Sequence, residues 1–217
     1  SNVDWLGEIP EHWMHIKIKW YSKRYTGGTP DKTNDSFWEN GIIPWLNSGA
    51  VNDANVNQPS EYITLEAYLN SSAKWVPAGA LLMALAGQGK TKGMVARLNF
   101  KATCNQSVAA IIPDSRLSAD FLYWWLTKNY TNIRNLGGGD NRDGINLEMI
   151  GGIDSPLPPL VEQKKIADFL DRETAKIDSL IEKEKQIIEK MKEYRTALIS
   201  AAVTGKIDVR GEVAHGA

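Results

Sequence analysis

Pro156-Leu157-Pro158-Pro159-Leu160-Val161-Glu162-Gln163 introduces a stretch that runs from Leu160 to Thr204 without one proline or glycine, and Gly205 follows it. Two prolines suit the first positions of a helix, where no backbone N–H is needed, and a glycine suits its C-terminal stop. The spacing therefore predicts one helix of 45 residues, about 68 Å at 1.5 Å per residue. Placed on a heptad, position a holds Gln163, Leu170, Ile177, Glu184, Met191 and Leu198. Position d holds Ile166, Glu173, Leu180, Ile187, Tyr194 and Ala201, and position e adds Ala167, Ile181, Ile188 and Ala202. This is a wide apolar seam broken by Glu173 and Glu184. Such a helix cannot bury its own stripe, and this sequence offers no second long helix to cover it. Self-association is expected through Ile166, Leu170, Ile177, Leu180, Ile181, Ile187, Ile188, Met191, Tyr194 and Leu198.

Upstream of the junction the periodicity changes. His15 to Trp20 alternates apolar and polar residues, the pattern of a half-buried strand. Ile42 to Leu46, Ala80 to Ala86, Met94 to Phe100 and Val108 to Ile112 are short apolar runs punctuated by Gly and Pro. Thr64 and Ser118 are placed as N-caps of short helices over 64–68 and 118–130. The expected fold class is α+β: a globular domain of mixed strands and short helices at 1–156, a long coiled-coil-forming helix at 157–205, and a tail at 206–217. Ser1-Asn2 in place of an initiating Met is expected of a processed or cloned end.

Composition sets bounds on function. Across 217 residues, 25 basic side chains face 26 acidic ones, a net charge of -1. Residues 1–156 carry 14 basic and 15 acidic groups, and residues 157–217 carry 11 of each. A histone-like basic mode of nucleic-acid binding is excluded, although a local basic surface is not. A single cysteine, Cys104, permits no intrachain disulfide and points to a reducing compartment. The longest uncharged run, Trp75 to Gly89, is 15 residues and contains Pro77, short of the roughly 20 that a membrane helix needs. All eight tryptophans fall in the first 125 residues, which places the core of the globular part. Trp38, in a polar loop, is expected to be the exposed one.

Motifs for chemistry are few. Gly87-Gln88-Gly89-Lys90-Thr91 suggests a phosphate loop, and a nucleotide-binding enzyme is the reading it would support. The first glycine of that motif is replaced by Ala84, and β-like alternation follows where a helix should start. A hairpin tip presenting Lys90 and Lys92 to phosphates accounts better for these residues. Gly137 to Gly144 resembles a calcium loop, but Gly139 stands where the first Asp is required and Ile150 where the bidentate Glu is required. That leaves a loop carrying Arg142. His12 and His15 lie near the start and His215 in the tail, and no metal-binding or nucleophile motif accompanies them or Cys104. No catalytic residue, metal or cofactor is expected. A coiled-coil adaptor with a tryptophan-rich head and no affinity for DNA is the remaining alternative.

Several short stretches, in this order, resemble one family. They are Asp4-Trp5-Leu6-Gly7-Glu8-Ile9-Pro10-Glu11-His12-Trp13, Gly27-Gly28-Thr29-Pro30 and Ile43-Pro44-Trp45-Leu46-Asn47-Ser48-Gly49. Ser71-Ser72-Ala73-Lys74, Pro77-Ala78-Gly79, Asn105-Gln106, the Leu157–Gln163 junction and Thr204-Gly205-Lys206-Ile207 complete the series. The chain resembles one half of the DNA-specificity subunit of type I restriction–modification systems. The resemblance implies a cytoplasmic, non-catalytic protein that docks a DNA methyltransferase, and through it a restriction subunit, on a bipartite site in double-stranded DNA. Full subunits carry two target-recognition domains and two long antiparallel helices, whereas this sequence has one of each. It is then a natural half-subunit or a piece of a longer chain, and the missing helix must come from a partner. An antiparallel homodimer would read an inverted repeat with a fixed spacer. The residues expected at phosphates are Lys90, Lys92 and Arg142. Those expected at base edges are Gln88, Asn105 and Gln106, with Asn47, Ser48, Gly49 and Asn52 beside them, because carboxamides can pair bidentately with adenine.

Overall fold

The computed structural model describes residues 7–87, 89–137 and 144–210. Before the long helix the chain is built from short elements. They are β1 (Met14–Lys17), β2 (Ser22–Thr26), β3 (Ile43–Leu46), β4 (Asn55–Val56), β5 (Glu61–Ile63), α1 (Leu65–Leu69), β6 (Trp75–Val76), β7 (Leu81–Ala84), β8 (Val95–Leu98), β9 (Ala102–Cys104) and β10 (Val108–Pro113). Next come α2 (Ala119–Lys128), α3 (Tyr130–Arg134), α4 (Leu147–Gly152), β11 (Asp154–Leu157) and α5 (Leu160–Val203). The class is α+β.

Two sheets make the body. One runs β2-β10-β7-β8-β4 and the other β5-β3-β9-β6, while β1 pairs with β11 alone. Pairing is antiparallel except for β4 with β8 and β3 with β9. Both faces of the five-stranded sheet are covered at its centre, so β7 and β10 are continuously apolar rather than alternating. Leu81, Met83, Ala109 and Ile111 pack with Phe121, Leu122 and Leu126 of α2, Ile133 of α3 and Ile150 of α4. Their neighbours Leu82, Ala84, Val108 and Ala110 face the other way, against Leu46, Val76, Ala102 and Cys104 of the second sheet. The far side of that sheet closes on α1 through Ile43, Trp45, Ile63 and Ala67.

The chain divides into two units, Ser1–Asp168 and Phe169–Ala217, so the first turns of α5 belong to the globular unit. Gln163 and Ala167 are buried there, and Ile166 packs on the core beside α2. Ile166, expected in the seam, is partly buried against the core of the globular unit. Leu170 is half-buried, whereas Ile177, Leu180, Ile181, Ile187, Ile188, Met191, Tyr194 and Leu198 are all exposed. The helix stops as a Schellman motif: Gly205 has φ +72°, its N–H bonds Ala202 O at 3.1 Å, and Lys206 N–H bonds Ala201 O at 2.9 Å. No described helix is long and apolar enough to cross a membrane.

Two local expectations change. The strand expected over 15–20 ends at Lys17, because buried Ile18 opens a 3-10 turn that Tyr21 N–H closes on Ile18 O at 3.1 Å. Trp38 is half-buried, edge-on to Trp45 with its indole N–H on Asp31 O, and among the described residues Trp20 is the exposed tryptophan, at 69%.

Candidate nucleic-acid interface

Strand register decides which loops meet. Thr26 at the end of β2 pairs with Ala109, and Ala84 at the end of β7 pairs with Val108, the first residue of β10. Gly27–Thr29, the 85–93 loop and Asn105–Ser107 therefore leave one margin of the five-stranded sheet. In the second sheet β3 and β9 run parallel with Leu46 beside Cys104, so Asn47 and Asn105 emerge side by side at the same margin. Backbone bonds tie the segments: Gly28 N–H to Cys104 O at 2.9 Å, Asn105 N–H to Leu46 O at 2.9 Å, and Leu85 N–H to Ser107 O at 2.8 Å. The Trp45 indole donates to Gly28 O at 3.0 Å. A Cβ on Gly27 would lie 1.8 Å from Cys104 O, and one on Gly28 2.0 Å from Ser72 Oγ. Only glycine lets these strands approach so closely.

The amide side chains are part of this construction. Asn47 Oδ1 accepts from Gly49 N–H at 2.8 Å, and Asn105 Oδ1 accepts from Ser107 N–H at 3.0 Å. Each turn takes one lone pair of its carboxamide and leaves the –NH2 edge to a ligand. Gln106 is exposed and accepts from Thr29 Oγ1 at 2.6 Å, and exposed Asn52 accepts from Thr91 Oγ1 at 2.9 Å. Ser48 is half-buried in the turn that follows Asn47.

The 85–93 loop is braced from behind by α3. Tyr130 Oη donates to Lys90 O at 2.6 Å, and Arg134 Nη1 donates to Lys92 O at 3.2 Å. Gly93, at φ +83°, sits where a Cβ would come within 3.3 Å of the Arg134 backbone. Lys90 is exposed, and a cavity of about 240 Å³ lined by Asn52, Lys90, Tyr123 and Tyr130 opens beside it. Lys92 is only 3% exposed. The expectation that its ammonium is displayed at the tip is corrected: the loop folds back on α3 at Lys92. The Gly87–Thr91 segment leads into β8 rather than a helix, so it lacks the helix N-terminus on which a phosphate loop depends. Gln88 and Arg142 lie outside the described residues, as do 138–143 of the segment resembling a calcium loop.

Sequence reasoning missed the bracing groups Tyr130 and Arg134 and the partners Thr29 and Thr91, which only the folded chain brings to the margin. It also missed Lys32, whose ammonium lies 5.3 Å and 5.5 Å from the rings of Trp38 and Trp45, just after the Gly27–Pro30 motif. Cys104 is fully buried, and burial pushes its thiol up to about 11, so it carries almost no thiolate at neutral pH.

A second construction joins the start of the domain to α5. Glu162 accepts from the Trp13 indole at 2.9 Å and lies 3.1 Å from His12 Nε2, while Asp154 lies 2.6 Å from His15 Nε2. The Trp13 hydrogen bond, then that of His12, holds the Glu162 carboxyl below the usual carboxylate range. Motifs 150 residues apart in sequence are thus two sides of one joint.

Residues 10–190 match the profile described as the type I restriction modification DNA specificity domain. The chain is 30% identical over 207 residues to the type I restriction enzyme EcoR124I/EcoR124II specificity subunit of Escherichia coli, covering 92% of this chain and 48% of that one. It is 30% identical over 211 residues to the MjaX specificity subunit, a relative from Methanocaldococcus jannaschii named as putative, covering 94% and 46%. Among solved structures, the HsdS subunit from Thermoanaerobacter tengcongensis shares the fold with a TM-score of 0.66 at 19% identity, over 93% of this chain and 47% of that one. A chain from a study of assembly of the type I R-M system reaches a TM-score of 0.74 at 19% identity, over 95% and 48%. The chain spans about half the length of the relatives it matches.

Proposed function

This chain belongs to the type I restriction–modification DNA specificity family, and on that premise we propose that it is a sequence-reading, non-catalytic subunit acting on double-stranded DNA. In this reading the globular unit recognises one half-site. It docks a DNA methyltransferase subunit, and through the complex a restriction subunit, in the cytoplasm. The exposed face of α5 pairs with the same face of a second copy, antiparallel, so that the pair reads an inverted repeat.

The observation that supports recognition most directly is the convergence of Thr29, Asn47, Asn52, Lys90, Asn105 and Gln106 on one sheet margin. Carboxamides and an exposed lysine on rigidly tied turns are the groups that base-edge and phosphate contacts need. Pairing is supported by the run of exposed Ile177, Leu180, Ile181, Ile187, Ile188, Met191, Tyr194 and Leu198 on one helix. A contiguous apolar stripe of that size is not left in water by a stable protein. The balanced charge fits a subunit whose tight DNA binding is shared with its methyltransferase.

The deciding experiment is reconstitution with a type I modification subunit, followed by genome-wide mapping of adenine methylation and light scattering of the chain alone. The expected result is a dimer at micromolar concentration and a methylated inverted repeat with a fixed spacer. A plainly asymmetric target, with this chain as sole specificity protein, would overturn the symmetric assembly. Saturable ATP binding by the chain alone would instead favour the nucleotide-binding reading.

A further inference from the structure

Among the described residues, Arg24 is a cation without a carboxylate partner. It lies on the edge strand β2, and its Nη1 donates to Ser22 O at 2.8 Å, Ser22 Oγ at 3.0 Å and Ile18 O at 3.5 Å. These bonds anchor one end of the guanidinium against the 3-10 turn that follows β1. Its Nε is buried with no hydrogen-bond partner, and among the described residues no carboxylate pairs with it. A buried unpaired donor on a charged group is costly and calls for an explanation.

The surroundings supply one. A cavity of about 440 Å³ is lined by Lys17, Lys19, Arg24, Glu148, Gly151 and Gly152. Lys17 is partly answered by Asp154, at 3.2 Å. Lys19 is exposed, and exposed Glu148 is the one carboxylate of the lining. A Cβ on Gly151 would lie 3.1 Å from both Arg24 Nη2 and Lys19 Cβ, so glycine there lets the Arg24 guanidinium and the base of the Lys19 side chain close against α4. Desolvation by burial lowers the Arg24 pKa from its ordinary value, as expected of a guanidinium drawn from water without an anion.

We infer that Arg24 and Lys19 form a phosphate-group site, separate from the Lys90 loop, whose occupant is a backbone phosphate of bound DNA. Arg24 pairs with Ile111, which pairs with Leu81, three residues before the margin at Ala84. Its strand position is therefore roughly 10 Å from the recognition loops at 3.3 Å per residue, within reach of a duplex seated on them. The inference rests on the DNA-recognition reading for the source of the phosphate, not for the site itself.

Two arms test it. In the first, the chain assembled with a modification subunit is titrated with specific and unrelated duplexes at several salt concentrations, as wild type, Lys19→Gln, Arg24→Gln and Lys90→Ala. Loss of one phosphate contact lowers the log–log salt slope by about 0.9. Lys19→Gln and Arg24→Gln are each expected to lower it by that amount and to weaken both duplexes alike. In the second arm the chain alone is titrated with inorganic phosphate while the Arg24 Nε–H resonance is followed by NMR. A saturable shift, absent in Lys19→Gln, is expected. Circular dichroism controls for folding, and Lys19, being exposed, carries the decision if Arg24→Gln unfolds. A wild-type complex without DNA affinity, beside a saturable phosphate shift, would defeat the recognition reading and reassign the site to free phosphate. DNA binding with unchanged slopes and no phosphate shift would overturn the site. Loss of methyltransferase binding at unchanged DNA slope would identify it as a protein-docking surface instead.

Discussion

Gln163 bears more of the structure than its place in a heptad suggests. It is fully buried, its Oε1 accepts from Ser118 N–H at 2.7 Å, and its Nε2 donates to Arg116 O at 3.0 Å and Pro158 O at 2.8 Å. One side chain satisfies the N-cap residue of α2, the turn before it and the proline that introduces α5. Leucine has similar bulk but would leave three backbone groups without this partner, one buried at Pro158 and two part-buried at Ser118 and Arg116, at about 1–3 kcal/mol for a buried unsatisfied group. Gln163→Leu is expected to lower unfolding stability by about 3 kcal/mol, after partial relaxation, with an unchanged urea m-value. A loss below about 1 kcal/mol in urea titration would mean that water replaces the amide there. At this scale the sequence was only partly legible. Gln163 sat visibly as a polar residue on an apolar stripe, but nothing local announced its partners 45 and 47 positions away. Lys92 misled for the same reason, because its burial depends on α3, which no nearby residue signals.

Among elements, legibility followed length and periodicity. β3, β7, β8, β10, α1, α2 and α5 match runs of apolar residues bounded by caps, Gly or Pro, and α5 stops where Gly205 marked it. The elements that were missed are short or chemically mixed: β9 is three residues, β11 contains Pro156, and α4 ends in two glycines. Tertiary pairing, not propensity, makes them strands or helices. The joint between the domain and α5 belongs to this group, since Trp13 and Glu162 meet only after β1 pairs with β11. Its pH dependence has a definite sign. The Glu162 carboxyl is held below its ordinary value by the Trp13 hydrogen bond first and by His12 next. A depressed carboxylate contributes stability above its unfolded pKa, about 4.3, and that contribution is lost as pH falls through the folded value. Melting curves between pH 3 and 7 are therefore expected to fall more steeply on the acid side for wild type than for Glu162→Gln. Identical acid limbs for the two proteins would place the acid sensitivity elsewhere, for instance at Asp114, whose carboxyl is lowered by Arg116.

At the level of the whole molecule, the long helix matters most for what it leaves uncovered. Its ion pairs, such as Lys176 with Glu173 at 3.0 Å and Lys192 with Glu189 at 2.6 Å, are exposed and contribute little stability. The stripe from Ile177 to Leu198 is where a second helix would supply the missing burial. If two copies pair antiparallel, the overlapping helix sets the distance between the two recognition units, and spacing becomes a property of helix length. Duplicating residues 184–190 adds one heptad, which keeps the seam in phase and lengthens the overlap by about 10.5 Å at 1.5 Å per residue. At 3.4 Å per base pair, this is roughly three base pairs. The duplicated variant, reconstituted with a modification subunit, is expected to methylate the same two half-sites with the spacer longer by about three base pairs. Inserting four residues instead of seven rotates the seam out of register, so that variant is expected to lose dimer in light scattering before it shifts its spacer. An unchanged spacer in the heptad variant, with methylation intact, would mean that the helices do not set the distance and that the two recognition units are held by contacts outside α5.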